Sequence, residues 1–265
     1  MIKQLQEKLN QSHPYTSEEL AWLLSHIGDP DPAVRDNLVY LSFCHALLDG
    51  FVDEVQLASL LDETLTRQLQ TTGLGVCDER TLTRSFTSLL HTLLLYVDGQ
   101  EGHPYRGWMR ASQREMLWQL VLDYLPAERD IRGYDSVYGW VHAIAHGADF
   151  LQAVACHPEF PLNRLTDVWE VIRDVLLEVE TTFSAGESSR LAAVLLQLLA
   201  QERLTQDQVA MWLSDLQVSG DEPSDYAKQL NSQAFLSVLY FQLEKEGVLG
   251  TTLKQALLNH PHLLA

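Results

Sequence analysis

Gly28-Asp29-Pro30-Asp31-Pro32-Ala33-Val34-Arg35 decides how this chain is read. A helix does not run undisturbed through prolines at 30 and 32, because each lacks an amide hydrogen and restricts the residue before it. The stretch therefore ends one helix and starts another. Asp31 is placed to cap the new helix, Pro32 sits in its first turn, Val34 packs, and Arg35 can bind neighbouring carboxylates or carbonyls. Upstream, Glu18, Leu20, Trp22, Leu23 and Leu24 make a short amphipathic helix after Ser17, an N-cap residue. Downstream, Val34 to Leu48 makes a second helix that stops at Gly50.

The same pattern recurs along the chain. Sustained apolar-polar alternation and Asn-Gly or Asp-Gly hairpin turns are missing, whereas helical periodicity is everywhere. Paired helices are predicted at 17–27 and 33–49, 53–71 and 80–98, 111–125 and 137–156, 162–183 and 187–200, and 205–216 and 224–246, with a short last helix at 252–259. The second helices start about 48 residues apart on average, close to the length of two-helix HEAT-type units. Asp31-Pro32-Ala33-Val34-Arg35 resembles the turn and second-helix start of a HEAT repeat, while the later units match by helix period only. The expected fold is all-α: an α-solenoid of about five HEAT-like helical pairs, in one domain spanning 1–265. A closed helical bundle or an α/α toroid would have the same helix count.

Composition narrows the function. Of 265 residues 46% are hydrophobic, enough for a large core, and 36 acids against 18 basic residues give a net charge of −18. That field repels phosphate backbones and anionic headgroups, so no nucleic-acid or membrane partner is expected. Arg106, Arg110 and Arg114 stand one turn apart, but among acids such as Glu101 and Glu115 they read as solvated surface. Met1 to Asn10 lacks the apolar core of a signal peptide, and Leu191 to Ala200 is far short of the roughly 20 residues a spanning helix needs. Cys44, Cys77 and Cys156 are odd in number and widely spaced, which points to a reduced cytoplasmic protein. In the longer loop 97–107, Tyr105 and Arg106, with Trp108 after it, suit a lid, a peptide contact or plain packing on helix ends.

The densest chemistry lies between Asp130 and Phe150. On a helix over 137–156, His142, His146 and Asp149 at i, i+4 and i+7 share one face, within about 60° of one another. Trp140, Val141, Ile144, Ala148 and Leu151 mark the core side, and small Gly139, Ala143, Ala145 and Ala153 flank the polar stripe. Three readings stay open. The triad can hold a divalent metal, with Asp135, His91 or His45 completing the set, although H-x-x-x-H is weakly specific. It can form an acid-base or hydrogen-bonding pocket for a small polar ligand, with Arg132 beside it. Or it is structural wiring, in which Asp149 bonds His146 or Arg132, Gly133 turns the chain and Asp135 caps the helix. His45, His91 and His146 fall at similar depths in successive second helices. In-register stacking would align them along a concave wall, with Arg35 and Arg84 bordering it.

The runs Asp130-Ile131-Arg132-Gly133 and Gly139-Trp140-Val141-His142-Ala143-Ile144-Ala145-His146-Gly147-Ala148-Asp149 resemble the signature of a bacterial family, common in Gram-positive organisms, catalogued as a domain of unknown function. The resemblance spans about the second to the fourth helix pair. It implies a bacterial cytoplasmic protein and supplies no activity, cofactor or catalytic residue. The expected role is therefore a protein-interaction or scaffold protein that binds a protein or peptide in a polar concave groove, basic partners being favoured by charge. The alternative is a small-ligand or metal-binding protein or enzyme that uses the His142/His146/Asp149 stripe.

Overall fold

The computed structural model describes residues 1–263. Helices dominate, as the periodicity predicts, with one small two-stranded sheet. α1 (Ile2–Lys8) precedes α2 (Ser17–Ser25). Thr16, not Ser17, caps α2. Its hydroxyl accepts from the Glu19 amide while the Glu19 carboxylate accepts from the Thr16 amide. At the decisive turn, Asp29 accepts from the Asp31 amide and Asp31 from the Ala33 amide, and Pro32 opens α3 (Pro32–Val34). The helix then widens into a π-helical turn, Arg35–Tyr40, before α4 (Leu41–Leu48).

The remaining helices are α5 (Glu54–Thr66), α6 (Arg80–Gly99), α7 (Ala111–Ala127), α8 (Ala143–Ala155), α9 (Leu165–Glu178), α10 (Glu187–Ala200), α11 (Gln206–Leu213), α12 (Pro223–Lys245) and α13 (Thr251–Leu258). They follow the expected pairs with shifted, mostly shorter, ends. The 53–71 helix stops at Thr66 because Gln68 takes a left-handed conformation with φ 51°. The 162–183 helix reduces to a 3₁₀ turn, Leu162–Arg164, and α9. The second helices pack side by side: α4 on α6, α6 on α8, α8 on α10 and α10 on α12, while α7 packs on α9. No helix among the described residues is long and apolar enough to cross a membrane.

α6 is the buried spine of this arrangement. Most of its length is enclosed, polar positions included, so each buried polar group needs a partner inside the protein. Thr81 donates to Asp130. Arg84 binds Glu128 at 2.7 Å with both side chains at 0% exposure. Asp98 accepts from the Met109 amide and from Arg114, which fixes the 97–107 loop. That loop is packed rather than poised as a lid. The Tyr105 hydroxyl donates to the Val52 carbonyl and accepts from the Val52 amide, and the Trp108 indole N–H donates to Leu94.

The largest departure from expectation lies at 137–156, where the helix begins only at Ala143. β1 (Tyr134–Asp135) and β2 (Gly139–Trp140) form an antiparallel hairpin before it, with Tyr134 opposite Trp140. Its backbone groups find partners that a helix would not offer. Asp135 accepts from the Val137 and Tyr138 amides, so it caps this turn and not α8. Arg35 donates to the carbonyls of Tyr138 and Trp140, and Gly139 takes φ +70° where it meets Pro32. The expected role of Gly133 also changes. A Cβ there would lie 2.1 Å from the Cβ of Ala185, so the residue serves close packing. Trp140 is 47% exposed and does not belong to the core, whereas Ala143 and Ala145 do.

Candidate functional site

The hairpin changes what the stripe can be. His142 is not on α8 but precedes it as the N-cap, with φ 50° and ψ 32°. For a residue other than glycine this left-handed conformation costs on the order of 1–3 kcal/mol and needs support from its surroundings. The support is visible. The Trp140 ring stacks on the imidazole at 4.5 Å and 8°, and Tyr134 meets Trp140 edge-on at 5.0 Å. His142 Nδ1 is buried without a partner. Burial holds the imidazole below its usual pKa; Glu187 opposes that shift and Arg190 adds to it.

His146, in the first turn of α8, places Nδ1 2.8 Å from the Ser85 hydroxyl. Ser85 donates its single hydrogen to the Val141 carbonyl, so His146 Nδ1 is the donor to Ser85. Ser85 is fully enclosed. This pair is a structural clasp between α6 and α8 and lacks the free hydroxyl that a nucleophile requires. Burial pushes the His146 pKa down to about 3, helped by His142, Arg190 and Arg35.

Asp149 bonds neither His146 nor Arg132. Its partner is Arg190 on α10, at 2.9 Å. Burial raises its pKa, and the Arg190 guanidinium opposes the rise. Arg132 instead grips Asp130 at 2.6 Å and Asp135 at 3.2 Å, and so ties the hairpin down. The metal set does not assemble. His142 has left the helix face, and Asp149 is committed to Arg190. Among the described residues no group of three or more His, Cys, Asp or Glu is placed to hold an ion.

The row of histidines does not line an open wall. His91 is fully buried on α6 and contacts Thr64 of α5 at 2.9 Å. Thr64 donates to the Leu61 carbonyl, so His91 donates through Nε2 and leaves Nδ1 without a partner. Burial takes its pKa to about 3. His45 contacts the Tyr15 hydroxyl at 2.9 Å. The three histidines are alike in another way: each ties a second helix to a hydroxyl on a different segment, at Tyr15, Thr64 or Ser85. The bordering arginines are internal as well, Arg35 on the hairpin and Arg84 on Glu128.

An open feature lies beside this network. α6, α8 and α10 wall a groove of about 510 Å³, with Asp149 and Arg190 in its lining. Asp149 is the one candidate site residue that lines it. The rest of its polar lining was missed, chiefly Gln100, Gln152, Gln197 and Gln201. A signal was present in part, since Gln197 and Gln201 stand one turn apart at the end of an otherwise apolar run. Tyr40, from the π-helical turn, lines the groove near Asp149.

A family model described as "Protein of unknown function (DUF2785)" matches residues 75–241. The matched segment contains α6, α8 and α10 whole, and with them the hairpin and most of the groove. No curated protein and no solved structure matches the chain.

Proposed function

The chain belongs to the DUF2785 family, and from that premise we propose that it is a binding protein whose α6–α8–α10 groove takes an extended segment of a partner protein. The carrying observation is the set of four groove glutamines, whose carboxamides make no hydrogen bond among the described residues. Side chains wired for structure are paired here: His91, His146, Arg84, Arg132 and Asp98 all have partners. Unpaired carboxamides along a groove are ready to bind, because each both donates and accepts. The side-by-side packing from α4 through α12 supports an α-solenoid of HEAT-like pairs in one domain, with this groove on its inner face. Three free thiols, Cys44, Cys77 and Cys156, support a reducing compartment. The net charge of −18 supports a protein partner over a nucleic acid.

A photoreactive residue tests this reading when placed at Gln197 in the groove and, as a control, at Glu115 on α7. The groove position is expected to crosslink one contiguous segment of a single protein in native cells, and the control is not. Equal labelling from both sites, or none from Gln197, overturns the proposal.

One observation favours a second reading, a small polar ligand next to the stripe. The π-helical turn, the left-handed His142 and its orphaned Nδ1 all meet at the hairpin, and such departures from regular backbone concentrate at functional sites.

A further inference from the structure

The groove is electrically unlike the rest of the chain. Acids outnumber basic residues two to one overall, 36 against 18. The lining holds one carboxylate, Asp149, and one guanidinium, Arg190, and these are paired with each other. The His157 ring in the lining is engaged within the chain as well. His157 uses one ring nitrogen on Asp98 and the other on the Glu159 amide. Burial pushes the Cys156 thiol up to about 12 and raises the Tyr40 hydroxyl as well. The surface is acidic, but the groove is neutral.

We infer that the groove selects an uncharged, extended polypeptide segment with amide or hydroxyl side chains, and that the acidic surface does not set its specificity. This rests on the peptide-binding reading above. A lysine or arginine in the groove would meet no unpaired carboxylate, so nothing there offsets the hydration it gives up on contact. A peptide unit meets the opposite situation. It has one donor and one acceptor, and each free carboxamide supplies both. The glutamines are carried on three neighbouring helices: Gln100 just past the end of α6, Gln152 on α8, and Gln197 on α10. Packed helices lie about 8–10 Å apart, a distance that an extended chain covers in roughly three residues. A neutral oligosaccharide would want aromatic faces to stack on, and the one large, exposed ring in the lining is Tyr96.

The experiment is fluorescence polarisation on the full chain, using equal-length peptides that are neutral and polar, lysine-rich or glutamate-rich, together with a neutral oligosaccharide. Each is measured at low salt and at about 0.5 M salt, where exposed charges are screened. The neutral peptide is expected to bind, with affinity changing less than about twofold between the two salts. The double variant Gln152→Ala/Gln197→Ala is expected to weaken it about tenfold without lowering the melting temperature. Gln201→Glu, a change at an exposed position, is expected to shift preference toward the lysine-rich peptide in a salt-sensitive way. If the lysine-rich peptide or the oligosaccharide binds the unmodified groove best, and the double variant weakens that binding, the selectivity inferred here is wrong. In the lysine-rich case peptide binding still stands. If no peptide of any charge responds to the double variant, the peptide-binding reading itself falls.

Discussion

Arg35 donates from Nη2 to the carbonyl oxygen of Tyr138 at 2.7 Å, across 103 positions of sequence. The same guanidinium donates to the carbonyls of Trp140 and Asp29, contacts the Asp36 carboxylate at 2.9 Å and lies over the Phe86 ring. Arg35 is fully buried, so its removal leaves carbonyls without donors and Asp36 without its counter-charge. Arg35→Ala is expected to cost about 3–5 kcal/mol in urea unfolding. Faster amide exchange at Val141 and His142 should accompany it. A loss below about 1 kcal/mol would show that the contact is incidental.

Gly133 and Ala185 form a contact with no spare room. Gly133→Ala places a methyl group 2.1 Å from the Ala185 methyl and is expected to destabilise by about 1–3 kcal/mol. Ala185→Gly in the same chain should recover much of that loss. A double-mutant cycle with no coupling would refute the assignment.

His91 and His146 are both held neutral, with folded pKa values of about 3 against 6.5 for the free side chain. The unfolded chain therefore takes up protons first as pH falls. The stability these residues contribute is complete above pH 6.5 and is lost progressively as pH falls from 6.5 towards 3. Each contributes a slope of at most about 1.4 kcal/mol per pH unit in that window. His91→Leu should flatten the dependence of stability on pH between 6 and 4. An NMR titration that protonates either ring above pH 5 in the folded state would contradict this.

His142 offers a test of local strain. His142→Asn keeps a residue that tolerates the left-handed region, whereas His142→Ala does not. The asparagine variant should be the more stable of the two by about 1 kcal/mol, as both lose the Trp140 stack. Equal melting temperatures would mean that the backbone relaxes when the ring is removed.

The helix pairs were legible because their signals are local. Pro30, Pro32 and Gly50 punctuate the first pair, and apolar spacing within a single turn marks the rest. The hairpin was not legible, because its carbonyls are satisfied by Arg35 from another helix pair. The sequence places His142, His146 and Asp149 on one helix face, but the helix meant to carry all three starts one residue after His142. Asp149 could be singled out, but its partner Arg190 lies 41 positions away and belongs to no shared motif. The groove glutamines come together only when three helices pack, and glutamine on a helix surface is ordinary in any one of them.

The π-helical turn has a consequence for how this chain tolerates length changes. Such a turn holds one more residue than the α-helical turn it replaces, and an α-helix rotates about 100° per residue. Arg35 at its start grips the hairpin, and Tyr40 at its end lines the groove. Deleting a single residue between them would leave a regular helix and an intact-looking pair. It would also turn one end out of phase with the other, so that the same helix could serve the hairpin or the groove but not both. Spacing between positions 35 and 40 is thus a constraint in its own right, separate from which residues fill it.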